Sequence, residues 1–222
     1  MATAEDRLMT FVLDTSFFTD PRLRGLTGSD SLRGVVEGLS RLLGAYRVEA
    51  GPLFYTTPSV YRETRRFLLS NGVPPETLEG LEVWLVVKSP DRHGLRIPGA
   101  VMVEYVEELR RRLDKALRIS EEAARRAAEG GRESLPEVVR YLRERFREGV
   151  RKGIVDSPED VELVLLGLEL KAVVVSNDEG IERLAHSLGL ITLNPPQLVS
   201  YLLRMAPALG VDTGLEGMRT RR

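Results

Sequence analysis

Two spacings of apolar residues alternate along the chain. Between 158 and 170, Val161, Val164, Leu165, Leu168 and Leu170 recur at roughly helical intervals and predict a buried helix. Ser157 suits its N-cap and Pro158 its first helical position, which puts Asp160 in the first turn and Asp156 just ahead of it. The segment 171–175 that follows is short and β-branched and predicts a buried parallel strand, with Asp178 just beyond its carboxyl end. Phe11-Val12-Leu13 repeats the motif near the N-terminus, an apolar run closed by Asp14 and followed by Thr15-Ser16. Further strands are predicted over 83–87 and 190–193, and 47–53 is irregular or a short strand. Helices are predicted over 31–43, over 60–70 with Thr57 or Ser59 as cap, over 181–188 and over 197–205. Segments 19–30 and 89–98 read as loops. The alternation gives an α/β domain, a central parallel sheet flanked by helices, spanning 10–98 and 154–206. Residues 1–9 and 207–222 read as flexible tails.

Between 99 and 153 the pattern changes to two long helical stretches, roughly 100–128 and 134–152, broken at Gly130-Gly131. They form an inserted helical hairpin. On its second helix Leu135, Val138, Val139, Leu142 and Phe146 share one face, Arg140, Arg143, Arg147 and Arg151 lie on a stripe beside it, and Glu137, Glu144 and Glu148 on a third. Arginines gathered on one side of a helix can lie along a phosphate backbone. The alternative is a solvated, salt-bridged surface. The apolar face must meet the partner helix or the same face of another subunit.

Composition narrows the chemistry more than the charge does. Lys plus Arg number 32 against 33 Asp plus Glu, so net charge favours no partner. With no cysteine the chain has no disulfide or thiol chemistry, which fits a cytoplasmic protein. Two lone histidines, His93 and His186, make a zinc site or an imidazole base a poor expectation. No run reaches membrane-span length, and residues 1–10 do not resemble a secretory signal.

What remains is carboxylates at strand ends. Taken singly, Asp156 and Asp160 could be helix-capping acids and Asp178 part of a turn. Together, two strands ending in Asp and a helix starting with two Asp can converge on one sheet edge. Glu63, on the second turn of its helix, can point towards the same edge or into solvent. Clustered carboxylates call for hard divalent cations, Mg²⁺ or Mn²⁺. Two-metal sites of that kind activate water and stabilise the leaving oxygen of an in-line phosphoryl displacement, so phosphodiester hydrolysis is the natural reaction class.

VLDTSFF at 12–18, Glu63, the Asp156/Asp160 pair ahead of VELVLLGLEL and VVVSND at 173–178 resemble the PIN-domain nuclease pattern. With VLDTSFFTDPR and the hairpin inserted before the Asp pair, nearly the whole chain resembles the minimal protein-only RNase P family, HARP, formerly called RNA ligase partner proteins. The resemblance implies a Mg²⁺-dependent endoribonuclease that removes the 5′ leader of precursor tRNA, leaves a 5′-phosphate on the mature tRNA and needs no RNA subunit. It also implies large homo-oligomers built through the hairpin, with Arg143 and Arg147 against the tRNA body. On this reading Asp14, Asp160 and Asp178 are metal ligands, Asp156 is a ligand or orients the attacking water, and Glu63 supports them. Thr15 and Ser176 carry hydroxyls that could fix the carboxylates. The rival readings are a PIN toxin-type endoribonuclease, normally shorter and without a hairpin, and a non-catalytic RNA-binding scaffold. A small phosphatase has no need of the Arg-rich hairpin.

Overall fold

Short apolar runs that alternate faces build the sheet, and a computed structural model of the chain describes residues 10–49, 54–128, 134–151, 155 and 157–215. β1 (Phe11–Leu13), β2 (Phe54–Thr56), β3 (Leu85–Val87), β4 (Val173–Val175) and β5 (Thr192–Leu193) form one parallel sheet in the order β3-β2-β1-β4-β5. Phe11, Leu13, Phe54, Val173 and Val175 point to one face, while Val12 and Val174 point to the other. Every second side chain of a strand changes face, so three residues per strand suffice to seed two cores.

The first face is covered by α3 (Leu32–Glu49) and α10 (Pro195–Leu209), through Val35, Leu39, Leu42, Tyr46, Leu198 and Leu202. On the second face lie Val60 of α4 (Pro58–Ser70), Leu163, Val164 and Leu166 of α8 (Pro158–Leu170), and Ile181 and Ala185 of α9 (Glu179–Ser187). Gly167 sets how closely α8 lies on the sheet: a Cβ there would come within 2.6 Å of the Val174 side chain. Chain order reverses between β1 and β4. Strands β1 to β3 step outward on one side and β4 to β5 on the other, which opens a crevice at the carboxyl ends of β1 and β4.

Several elements differ from the sequence expectation. α3 continues past 43 to Glu49, because Gly44 lies inside the helix where Trp84 packs against it. Of the segment 47–53, expected to be irregular or a short strand, 47–49 belong to α3 and 50–53 lie outside the described residues; the strand is Phe54–Thr56, and Thr57 caps α4 directly after it. The supposed loop 19–30 folds as a 3₁₀ turn (Pro21–Leu23) and α2 (Arg24–Thr27), preceded by α1 (Ser16–Thr19). α5 (Pro75–Glu82) was not anticipated. Lys171 is the left-handed C-cap of α8, so β4 starts at Val173 rather than 171. The segment after 206 is no loose tail as far as 215: α10 runs to Leu209, and Val211 and Leu215 join the core. Residues 1–9 and 216–222 lie outside the described residues.

The chain divides into two compact units, 1–95 with 157–222 and 96–156. The second contains α6 (Gly99–Ala128), α7 (Leu135–Phe146) and a π-helical turn (Arg147–Arg151). Ser134 and Glu137 form a reciprocal capping box at the start of α7. The two helices are tied together by Arg126, which lies 3.8 Å over the Tyr141 ring, while the Arg112 side chain reaches the Val150 carbonyl.

Candidate active site

The switch point of the sheet gathers the acids. Asp14 follows β1 directly, and its backbone N–H donates to the Val175 carbonyl of β4 at 3.0 Å. Its Oδ2 accepts three bonds, from the Ser16 Oγ at 2.7 Å, the Ser176 Oγ at 2.8 Å and the Ser16 N–H at 3.3 Å. Asp178 caps α9, its Oδ1 accepting from Gly180 N–H at 2.7 Å and Ile181 N–H at 3.1 Å. Each acid is thus held through one oxygen, and among the described residues the other oxygen takes no hydrogen bond. Asp160 stands in the first turn of α8, where Ser157 caps its N–H at 3.1 Å. Glu63 is on the second turn of α4, which packs against α8.

Electrostatics joins these four groups. Burial drives the Asp160 carboxyl up from 3.8 to about 6; Ser157 opposes the shift, and the charges of Asp14, Asp178 and Glu63 add to it. Such a cluster of hard oxygen donors suits a divalent cation in kind. Among the described residues no three acids stand close enough to hold one ion together as they are. Asp156 lies outside the described residues.

A second network locks the two Asp-bearing loops together. Asp20, its side chain only 1% exposed, accepts a bidentate pair from Arg22 and a bond from the Asn177 side chain at 2.8 Å. Arg22 also donates to the Asn177 Oδ1 at 2.7 Å, and the Asn177 N–H donates to the Ser16 Oγ at 3.1 Å. Ser176 closes the loop by accepting from the Asp178 N–H at 3.0 Å while holding Asp14. Asp14 and Asp178 therefore have fixed positions relative to each other.

Residues 10–206 match the PINc domain ribonuclease family. RNA-free ribonuclease P of Hyperthermus butylicus is 47% identical over 88% of this chain and 87% of its own length. That of Ignicoccus hospitalis is 47% identical over 88% and 95% of the two chains, and that of Aeropyrum pernix 46% over 87% and 90%. The chain belongs to the RNA-free ribonuclease P family. It is an endoribonuclease, and the family its motifs resemble is the one to which it belongs. PIN ribonuclease domains in general depend on a divalent metal. No helix among the described residues is long and apolar enough to cross a membrane.

Of the acids singled out in the sequence, Asp14, Asp178 and Glu63 each act on Asp160 through their charge, and Ser176 bonds Asp14. The Thr15 hydroxyl instead accepts from Thr64 at 3.0 Å, which ties the β1 loop to α4; Ser16 occupies the carboxylate-holding place that the sequence suggested for Thr15. Arg140, Arg143 and Arg147 are exposed and form no ion pair among the described residues, and the Arg151 side chain lies outside them. Sequence reasoning missed Ser16, Asp20, Arg22 and Asn177. The TDPR run at 19–22 carried the one available signal, an Asp-Pro pair typical of a capped turn.

Proposed function

We propose that this protein removes the 5′ leader of precursor tRNA by Mg²⁺-dependent phosphodiester hydrolysis, with Mn²⁺ as a possible substitute and without an RNA subunit. The observation that supports the reading is the placing of Asp14 and Asp178 at the switch point of the sheet, where their charges act on Asp160, in a chain nearly half identical to RNA-free ribonucleases P. Asp14, Asp160 and Asp178 hold the cation, Asp156 ligates it or orients the attacking water, and Glu63 supports the cluster. A bound divalent cation supplies charge neutralisation at the scissile phosphate and lowers the pKa of water. Ser16 and Ser176 fix one oxygen of Asp14 and the α9 N–H groups one oxygen of Asp178, so the free oxygen of each is pre-aimed.

The helical unit serves assembly and RNA contact on this reading. Met102, Val106, Leu109, Leu113 and Leu117 are exposed and recur every three or four residues along one stripe of α6, the spacing of a helix–helix seam. This supports homo-oligomers built through the hairpin. The exposed Arg140, Arg143 and Arg147, together with Arg151, supply the contacts to the tRNA body.

The test is incubation of purified protein with 5′-labelled precursor tRNA, with and without Mg²⁺, beside Asp160→Asn. Metal-dependent release of an intact leader, lost in the variant, is expected. Scattered cuts, or full activity of the variant, overturn the assignment.

A further inference from the structure

One cavity at the same edge of the sheet has no part in the carboxylate cluster. It encloses about 540 Å³ beyond the carboxyl end of β5, between Leu193 and the first turns of α10. Its floor is apolar, with Leu193, Pro196 and Tyr201, and two guanidiniums, Arg22 and Arg204, stand on its rim. The N-terminus of α10 contributes no free donor, because Asn194 and Gln197 cap each other and Pro195 and Pro196 have no N–H. The cations of this cavity are therefore side chains.

The two arginines differ. Arg22 is anchored: its Nε and one Nη bind Asp20, and that Nη also reaches Asn177 in the loop that carries Asp178. Its other Nη takes no bond among the described residues. Asp20 balances its charge, so the net positive charge of the rim comes from Arg204, which is exposed and without an ion pair among the described residues. An apolar floor with an aromatic ring and a guanidinium rim matches a nucleotide, whose base or ribose covers the floor and whose phosphate meets the guanidiniums. β5 is two strand spacings, about 10 Å, from β1 and its Asp14. A strand lying across the carboxylates passes this cavity.

We propose that the cavity between β5 and α10 receives one nucleotide of the RNA strand being cut, its phosphate held by Arg22 and Arg204. The inference rests on the RNA-cleaving function proposed above and adds a phosphate subsite beside the carboxylates, separate from the hairpin arginines. The phosphate belongs either to the leader or to the mature strand, and the chemistry of recognition is the same for both.

The experiment measures binding of precursor tRNA without divalent metal, so that cleavage does not enter, for the full chain and for Arg204→Gln at 50 and 200 mM salt. Arg204 is exposed, so its replacement leaves the fold intact, which a melting curve verifies. Loss of one single-strand phosphate contact makes the log–log salt slope shallower by about 0.7, so the advantage of the unaltered protein shrinks about threefold between the two salts. Arg204→Lys should restore most of the slope. A precursor with a one-nucleotide leader separates the sources: the defect of Arg204→Gln disappears if the phosphate is in the leader and persists if it is in the mature strand. An unchanged slope and affinity for Arg204→Gln on both precursors overturns the subsite. Absence of leader cleavage by the unaltered protein with Mg²⁺ overturns the proposed function instead, and leaves the salt-slope result readable.

Discussion

The two units of this chain treat polar and apolar groups in opposite ways. In the sheet unit helices cover both faces of the sheet and the exposed apolar residues, such as Val48, Val83 and Ile191, are scattered, while Asp14 and Asp178 at its edge are held by hydroxyls and N–H groups. In the helical unit the stripe from Met102 to Leu117 is open and Arg140, Arg143 and Arg147 are exposed, with no salt bridge among the described residues. An isolated helical hairpin with so much exposed apolar surface is costly unless something covers it. The difference teaches how the proposed function divides: the first unit carries the candidate site, and the second carries the open surface that the proposed assembly and RNA contact would cover.

The sharpest break of that comparison is Asp14→Asn. If Asp14 ligates the cation as proposed, its loss forfeits several kcal/mol of transition-state stabilisation, so cleavage should fall by at least about a thousandfold. RNA affinity without metal and the size of the assembly should stay as they are. A variant that lost assembly as well would refute the separation.

The converse change acts on the other unit. Leu113→Glu with Leu117→Glu places two charges on side chains 61% exposed in the single chain. If a second copy covers that stripe, the interface loses at least about 3 kcal/mol, a hundredfold or more in the dissociation constant. Light scattering should report smaller particles with an unchanged melting temperature for the sheet unit. Unchanged particle mass would remove α6 from the interface.

How much of this was legible in the sequence depended on distance along the chain. Asp14 and Asp178 could be found because each closes an apolar run within a few residues, and Asp160 because its cap and Pro158 are adjacent. The clamp that positions them could not: Ser176 and Asp14 are 162 positions apart, and Arg22 and Asn177 155. Those bonds exist only once β1 and β4 are neighbours, which is a property of the sheet order and of no local pattern. β2 was not placed for a local reason, since its three residues stand flush against the α4 cap and are too few to show an alternation of their own. The apolar stripe of α6 is interleaved in the sequence with Glu104, Glu107, Arg110 and Asp114, and its exposure is visible only once the helix is folded.

Asp160 offers a smaller effect within the sheet unit. The unfolded chain ionises this group near 3.8 and the folded protein near 6. Its contribution to stability is full below pH 3.8 and is lost as pH rises through 6. With divalent metal chelated, the protein should lose on the order of 2 kcal/mol between pH 4 and 7 relative to Asp160→Asn. Urea unfolding at both pH values measures this directly, and parallel stability profiles for the two proteins would mean that neither burial nor the neighbouring acids raise the Asp160 carboxyl.

The smallest expected effect tests the helical unit's cations. Arg143 and Arg147 are one turn apart on α7 and its continuation, so both can follow one phosphate backbone. Arg143→Ala with Arg147→Ala removes two contacts, which at 0.7 per single-strand phosphate makes the salt slope shallower by about 1.4. The advantage of the unaltered protein then shrinks about sevenfold between 50 and 200 mM salt, while the cleavage rate at saturating precursor tRNA stays within a factor of about two. If the saturating rate fell and the slope held, these arginines would be acting on the chemistry rather than on the RNA body, and the division of labour between the two units would fail at its most exposed point.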